Sequence, residues 1–424
     1  MLVSIMIAGF LLLCFLGIPI AVVMGTLGYI WVFWTGGEST LIVRRLYYGL
    51  DSFVLLAVPL FILAATMMNN FDMSRRLVDF STTIVGRFKG GLAHVTIFVS
   101  MIFAGISGSS QADTAGVGGI LIPAMKKAGY SDEVSTGVTV AASTIGVIIP
   151  PSIPMVVIGS VVSISVAGMF LGGIIPGILI GLAQMVTVVL MSRRFNFPLG
   201  KKYSFREFLV RGWQAFPALV IPIIVIGGIV TGVFTATEAG DICVVYAVII
   251  AFFTKQMNLK KLWDTFKEVG LMSSIPLLIC GFGIALSWIL AYENVPAQIN
   301  NAILSLTTNA TAVLVLISII VLIAGCFMDG IAIIMLVCPI LMPLVESLKI
   351  DPIHFGVVVT IGCAIGLITP PVGLCLFVAS SITGIAIEKI FRGCIPFLIA
   401  EMIIFYIVIF YPSLVTWLPS LFGT

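Results

Sequence analysis

Between Arg87 and Lys89 on one side and Lys126 and Lys127 on the other, the chain carries an unbroken apolar run, Leu92 to Met125, with a polar, glycine-rich middle at Gly105 to Asp113. One membrane crossing needs about 20 apolar residues, so this run exceeds one helix and falls short of two full ones. Basic residues collect on the cytoplasmic side, and matching basic ends predict that the chain enters the bilayer and returns to the same face. Non-helical backbone at that depth survives only where protein shields it or where it lines a wet cavity. The run therefore predicts a re-entrant hairpin at a solute or ion site.

Hydrophobic residues make up 60% of the sequence and charged residues 9%, which excludes a soluble globular domain and predicts a polytopic membrane protein. The net charge of +3 is spread over loop clusters that orient helices, so nucleic acid is not expected as a partner. Met1 to Phe15 lacks the basic start and the small-residue cleavage site of a secretory signal and is expected to be a retained helix; the residues before Cys14 do not make a lipoprotein site. Eight cysteines, none in a Cys-x-x-Cys pattern, read as small hydrophobes. With only His94 and His354 present, a histidine-based metal site is not expected.

A shift of 220 positions aligns Gly105 with Gly325, Pro123 with Pro343, Gly146 with Gly366, Pro150-Pro151 with Pro370-Pro371, and Pro176 with Pro396, without a gap. The second hairpin, Ala312 to Val345, is flanked by Asn309 and Glu346 instead of basic pairs, which predicts entry from the opposite face. Ten crossings follow, at about Leu2 to Leu16, Ile18 to Trp34, Phe53 to Asn69, Val134 to Val166, Met169 to Met191, Phe216 to Val233, Thr235 to Phe253, Gly270 to Tyr292, Phe355 to Ile385 and Ile395 to Leu418. The expected fold class is thus an all-α polytopic membrane protein: an inverted repeat of five crossings and one hairpin per half. Arg44 and Arg45 fall on the outer side of this trace. Leu41 to Leu50 is accordingly expected to be an amphipathic segment along the interface, anchored by Trp31 and Trp34.

Two long crossings each contain a double proline, in Ile149-Pro150-Pro151-Ser152 and Thr369-Pro370-Pro371-Val372. Proline lacks the amide hydrogen and clashes with the preceding turn, so both helices should break near mid-bilayer. The freed carbonyls, with the hydroxyls of Ser107, Ser110, Ser152 and Thr369, suit a hard cation such as sodium, and the half-helix that starts after each break offers amides to a carboxylate. A plain kink is the alternative for either copy alone; two copies in register favour a site. Asp113 and Asp329 are carboxylates inside apolar runs, and Asp329 either ligates a cation or caps the following half-helix. Glu238 and Asp241 fit a helix N-terminus, and Glu401 has no partner legible in the sequence. Gly105-Ile106-Ser107-Gly108 also fits the nucleophile setting of intramembrane serine proteases, but the required base would have to be the distant His354, and the second half would go unexplained.

Taken together, Gly17-Ile18-Pro19-Ile20-Ala21, Gly105 to Asp113, Ile149-Pro150-Pro151-Ser152, Thr235-Ala236-Thr237-Glu238-Ala239, Gly325 to Gly330 and Thr369-Pro370-Pro371-Val372-Gly373 resemble the large membrane subunit of TRAP transporters, the DctM or SiaM type, over essentially the whole chain. Ala236 stands where that family often has proline. The resemblance implies a sodium-driven, elevator-type importer of organic acids in the bacterial inner membrane, with sialic acid favoured over C4-dicarboxylates and other carboxylates. It implies two partners, a small four-helix membrane subunit and a periplasmic substrate-binding protein. It also implies two or more co-transported Na+ ions, one site using Ser107 with backbone near Gly105, Gly146, Ile149 and Pro150, the other using Gly325, Gly366 and Thr369. Substrate contacts are expected at Ser109, Ser110, Ser152, Asp329, Val372 and Gly373. The division expected from it is scaffold at 1–86, transport elements at 87–166, scaffold and linker at 167–308, transport elements at 309–386 and a scaffold helix at 387–424. A stand-alone sodium-coupled carboxylate carrier is the competing class.

Overall fold

Backbone amides in hydrocarbon must find partners within their own segment, and every named element among the described residues is a helix. The structure is a computed structural model that describes residues 2–194 and 197–423. Helices α1 (Leu2–Phe15), α2 (Ile20–Thr35), α3 (Thr40–Leu50), α4 (Ala57–Asn70, entered through a tight turn at Phe53–Leu56) and α5 (Met73–Val85) lead into the first hairpin, α6 (Gly91–Ser107) and α7 (Ser110–Lys127). The first broken helix is α8 (Asp132–Ser143) and α9 (Ile153–Val162), followed by α10 (Val166–Arg194). The second half runs α11 (Phe205–Val230), α12 (Ala236–Phe253), α13 (Leu259–Tyr292) and α14 (Val295–Leu306). Its hairpin is α15 (Ala310–Gly325) and α16 (Gly330–Ser347), its broken helix α17 (Pro352–Gly366) and α18 (Leu374–Thr383), and α19 (Ile387–Phe410) and α20 (Ser413–Phe422) follow.

Among the described residues, seven helical stretches are long and apolar enough to cross a bilayer alone: Phe53–Asn70, Val166–Arg193, Phe205–Val230, Ala236–Phe253, Leu259–Tyr292, Gly330–Ser347 and Ile387–Phe410. Gly330–Ser347 is a hairpin arm, and the two broken helices cross as pairs of short pieces. Three expected crossings have different ends. α11 starts at Phe205 because Ser204 and Glu207 form a reciprocal capping box, and α13 starts at Leu259, capped by Asn258. The last expected crossing divides into α19 and α20 around Pro412, whose missing amide hydrogen ends the first piece.

The two halves interlock. α2 packs on α13 and its counterpart α12 packs on α4. Asn70 Nδ2 donates to Thr265 Oγ1 at 2.9 Å and Thr237 Oγ1 donates to the Phe53 carbonyl at 2.8 Å, fixing both ends of α4 in this bundle. Each hairpin is preceded by a short amphipathic helix, α5 or α14, outside the ten expected crossings. α10 and α19 pack on the hairpins and broken helices, α19 on α8, α17 and α18, and α10 on α6, α9 and α17; α13 likewise packs on α16, and α4 and α11 on α6.

α3 occupies the segment expected to be amphipathic and stands antiparallel against the C-terminal half of α13. Ile42 is buried near Ile289, Leu46 and Leu50 face Gly281, and the Arg45 guanidinium lies 4.3 Å from the Trp288 ring centre. That cation–π contact gives Arg45 a local partner. Trp34 is exposed as an anchor should be, whereas Trp31 is buried, donating from Nε1 to Glu293 Oε1 at 2.8 Å and packing edge-on against Trp288 and Tyr292.

Candidate functional site

Each hairpin arm that follows a tip begins on a capped amide. Ser109 accepts from Ala112 N at 3.4 Å to start α7, and Asp329, at the repeat-related position, accepts from Ile331 N at 3.1 Å to start α16. Each tip is also fastened to the broken helix of its own half through the main chain. Gly108 O accepts from Ile153 N at 3.2 Å, and Cys326 O accepts from Val372 N at 2.9 Å. Gly108 takes the left-handed conformation, with φ of 62°, and a Cβ there would lie 2.9 Å from Pro151 O, so both backbone shape and approach demand glycine. The Pro150-Pro151 and Pro370-Pro371 bonds are both cis.

The first half places a carboxylate behind its tip. Asp113, 1% exposed, accepts from Ser107 Oγ through Oδ1, while Oδ2 has no partner among the described residues and faces Gly146 in the turn before Pro150. Ser110 Oγ is a second buried oxygen without a partner. Buried acceptors left unfilled are costly, and a carboxylate, a hydroxyl and adjacent carbonyls are the donor set of a hard cation. Of the residues expected around the first cation, Ser107 and Gly146 converge on Asp113. Gly105 faces the ring of Pro222 on α11, and the Ile149 side chain packs on Gly177 of α10.

In the second half Gly325 and Gly366 meet directly: a Cβ on Gly325 would lie 2.8 Å from Gly366 Cα. Thr369 Oγ1 donates to Ile365 O at 2.8 Å, and Gly373, with φ of 58°, opens α18 close to Thr369 O. Ile333 occupies the position related to Asp113, so the two halves distribute charge differently: behind the tip in one, at the tip in the other.

The tips themselves are joined. Gln111 Nε2 donates to Asp329 Oδ1 at 3.4 Å, which brings Ser109, Ser110 and Asp329 into one region. Ser152 caps α9, accepting from Met155 N at 3.3 Å while its hydroxyl donates to Val147 O, so it stabilises the break. Asp113 stands out in the sequence as a carboxylate in an apolar run but with no site attached, and Gln111 does not stand out, although both lie in the polar tip segment. Thr114, whose Oγ1 donates to Ser143 Oγ at 2.8 Å, extends the same polar seam. His354 Nε2 contacts Val408 O at 2.9 Å and Ser107 is engaged by Asp113, an arrangement unlike a serine–histidine pair.

Known proteins agree with this architecture. The chain is 36% identical over 380 residues to the C4-dicarboxylate TRAP transporter large permease protein DctM of Pseudomonas aeruginosa, covering 89% of each. It is 35% identical over 381 residues to the sialic acid TRAP transporter large permease protein SiaM of Vibrio cholerae, again covering 89% of each. The Alcanivorax borkumensis YdaH transporter shares the fold at a TM-score of 0.62 and 15% identity, with 95% of this chain and 97% of that one covered. The family model for the tripartite ATP-independent periplasmic transporter, DctM component, matches residues 7–414, and the chain belongs to that family as a multi-pass membrane transporter permease.

Proposed function

We propose that this permease imports an organic acid by coupling its movement to sodium. The reading is carried by the joined hairpin tips, each fastened to a broken helix, with an unfilled buried carboxylate behind one of them. Asp113 and Ser107, with carbonyls of the turn at Gly146, hold the first Na+ ion; the Gly325–Gly366 contact and Thr369 frame the second. The acid binds between the tips, its carboxylate met by the hydroxyls of Ser109 and Ser110 and by the Gly373 amide, while Ser152 and Val372, whose own donors are taken by Val147 O and Cys326 O, shape the wall beside it and Asp329 selects hydroxyl or amide groups on the solute. Relatives named for C4-dicarboxylates and for sialic acid stand at nearly equal identity, so overall likeness favours a carboxylate without choosing between them. Sialic acid remains our preferred solute, since Asp329 and the serines suit a polyhydroxylated acid.

The hairpins and broken helices, with α10 and α19, move as one body against α2–α4 and α11–α13 in an elevator motion. A small four-helix subunit and a periplasmic binding protein complete the system in the inner membrane, as the tripartite family implies. Reconstituted vesicles test this. Uptake that needs the binding protein, the small subunit and an inward sodium gradient supports the reading. Uptake by this chain alone identifies a stand-alone carrier, and uptake indifferent to sodium removes the coupling.

A further inference from the structure

Glu401 lies in the middle of α19, 1% exposed. Its Oε1 accepts from Gln184 Nε2 on α10 at 2.7 Å and contacts Thr144 Oγ1 in the turn 144–147 that precedes the first break. Gln184, 0% exposed, gives its other amide hydrogen to Ala141 O at 2.9 Å. Thr144 has one hydroxyl hydrogen, and Ala141 O is also within its reach at 2.7 Å. These groups supply three hydrogens. Two buried acceptors, Glu401 Oε2 and Gln184 Oε1, are left with no partner among the described residues.

The surroundings offer no compensating charge. Of the helices packed on α19, α8 carries Asp132 and Glu133 at its start, α10 carries arginines at its end, α17 carries His354 and Cys363, α18 carries Cys375, and α15 carries no titratable group. On α19 itself, Glu388, Lys389, Arg392 and Cys394 lie toward its start and Tyr406 lies on the far side of Glu401. Among the described residues none of these pairs with Glu401; Lys389 pairs with Asp132, and Cys394 Sγ donates to Gly137 O. An ionised carboxylate sealed in this way would lack both a counter-ion and a donor for Oε2.

We propose that Glu401 is a resident proton-binding site, held as the neutral acid, in which Oε2–H donates to Gln184 Oε1 and closes a two-bond acid–amide ring. One proton supplies the donor that both unpartnered oxygens lack. The pair then ties α10 and α19 together beside Thr144, two residues from Gly146, whatever ion or solute the permease carries.

Infrared spectroscopy of the full-length protein in lipid nanodiscs, with carboxyl-labelled glutamate, tests the site directly. The expected result at neutral pH is a carboxylic-acid C=O band that shifts with the label, disappears in Glu401→Gln and persists in Asp113→Asn. Gln184→Leu should keep that band and move it to higher frequency, because the acid loses its amide partner. Absence of the band in the wild-type protein, its survival in Glu401→Gln, or no displacement in Gln184→Leu overturns the proposal. So does a sodium-sensitive carboxylate band that Glu401→Gln abolishes, since that outcome makes Glu401 an ionised cation ligand.

Discussion

Gln111 of the first hairpin and Asp329 of the second meet across the centre of the protein, 218 positions apart in sequence and 3.4 Å apart between Nε2 and Oδ1. The distance is at the long end for an N–H···O bond, so its loss should loosen the tips without collapsing them. Gln111→Leu is expected to raise KM for the transported acid by about three- to tenfold, on the order of 1 kcal/mol, with little change in thermal stability. Uptake measured against solute concentration checks this, and an unchanged KM separates the tip contact from solute binding.

Asp113→Asn keeps the size of the side chain and removes its charge. If Oδ2 faces a sodium ion, half-saturation for sodium should rise by roughly tenfold or more while dependence on the binding protein is retained. Ser107→Ala should give a smaller change in the same direction. Sodium titration of uptake at saturating solute is the measurement, and an unaltered sodium curve in Asp113→Asn counts against this ion site.

The Gly325–Gly366 approach leaves no room for a methyl group, because the obstructing atoms are backbone on both sides. Gly325→Ala should force α15 and α17 apart and cost about 1–3 kcal/mol. Gly119→Ala on α7, where a Cβ meets nothing within 4 Å, should be neutral or favourable by up to about 1 kcal/mol. Thermal unfolding of the two variants in the same detergent compares them directly.

Asp132 bridges Lys126 at 2.8 Å and Lys389 at 3.5 Å, joining the base of α7 and the starts of α8 and α19. The Lys126 ammonium holds the Asp132 carboxyl below the usual carboxylate range, with Lys389 adding to it. A group depressed on folding contributes stability above its unfolded pKa and loses that contribution as pH falls through its folded one. Asp132→Asn should therefore lower the unfolding temperature slightly at neutral pH and converge with the wild type in acid. A difference independent of pH would assign the effect to packing instead.

Thr235 and Glu238 cap α12 reciprocally, Thr235 N donating to Glu238 Oε2 at 2.7 Å and Glu238 N donating to Thr235 Oγ1 at 3.3 Å. Thr235→Ala should destabilise the protein by about 1 kcal/mol, read as a lowered unfolding temperature.

Much of this architecture is legible in the sequence because hydrocarbon enforces it. Paired prolines, polar tips and basic flanks each have few structural solutions at membrane depth, and the repeat fixes their register. Partnerships set by helix rotation are less legible. Trp31 reads as an interface anchor until Glu293, far away in sequence, takes its N–H, and Glu401 is an isolated carboxylate until α10 turns Gln184 toward it. The packing of α10 and α19 on the broken helices is equally hidden, since apolar helices in lipid carry little record of which neighbour they choose. Gln111 was within reach: it is an amide in a tip segment whose partner tip ends in an aspartate.

Fastening each tip to its broken helix by peptide groups gives the permease a chassis that tolerates side-chain exchange everywhere but at Gly108, where the backbone itself requires glycine. Residues that greet the cargo can be swapped while Gly108 and Cys326 go on accepting from the amides of positions 153 and 372. Only an imino acid at either of those two positions would delete the fastening outright, so diversification of what is carried need not erode the machinery that carries it.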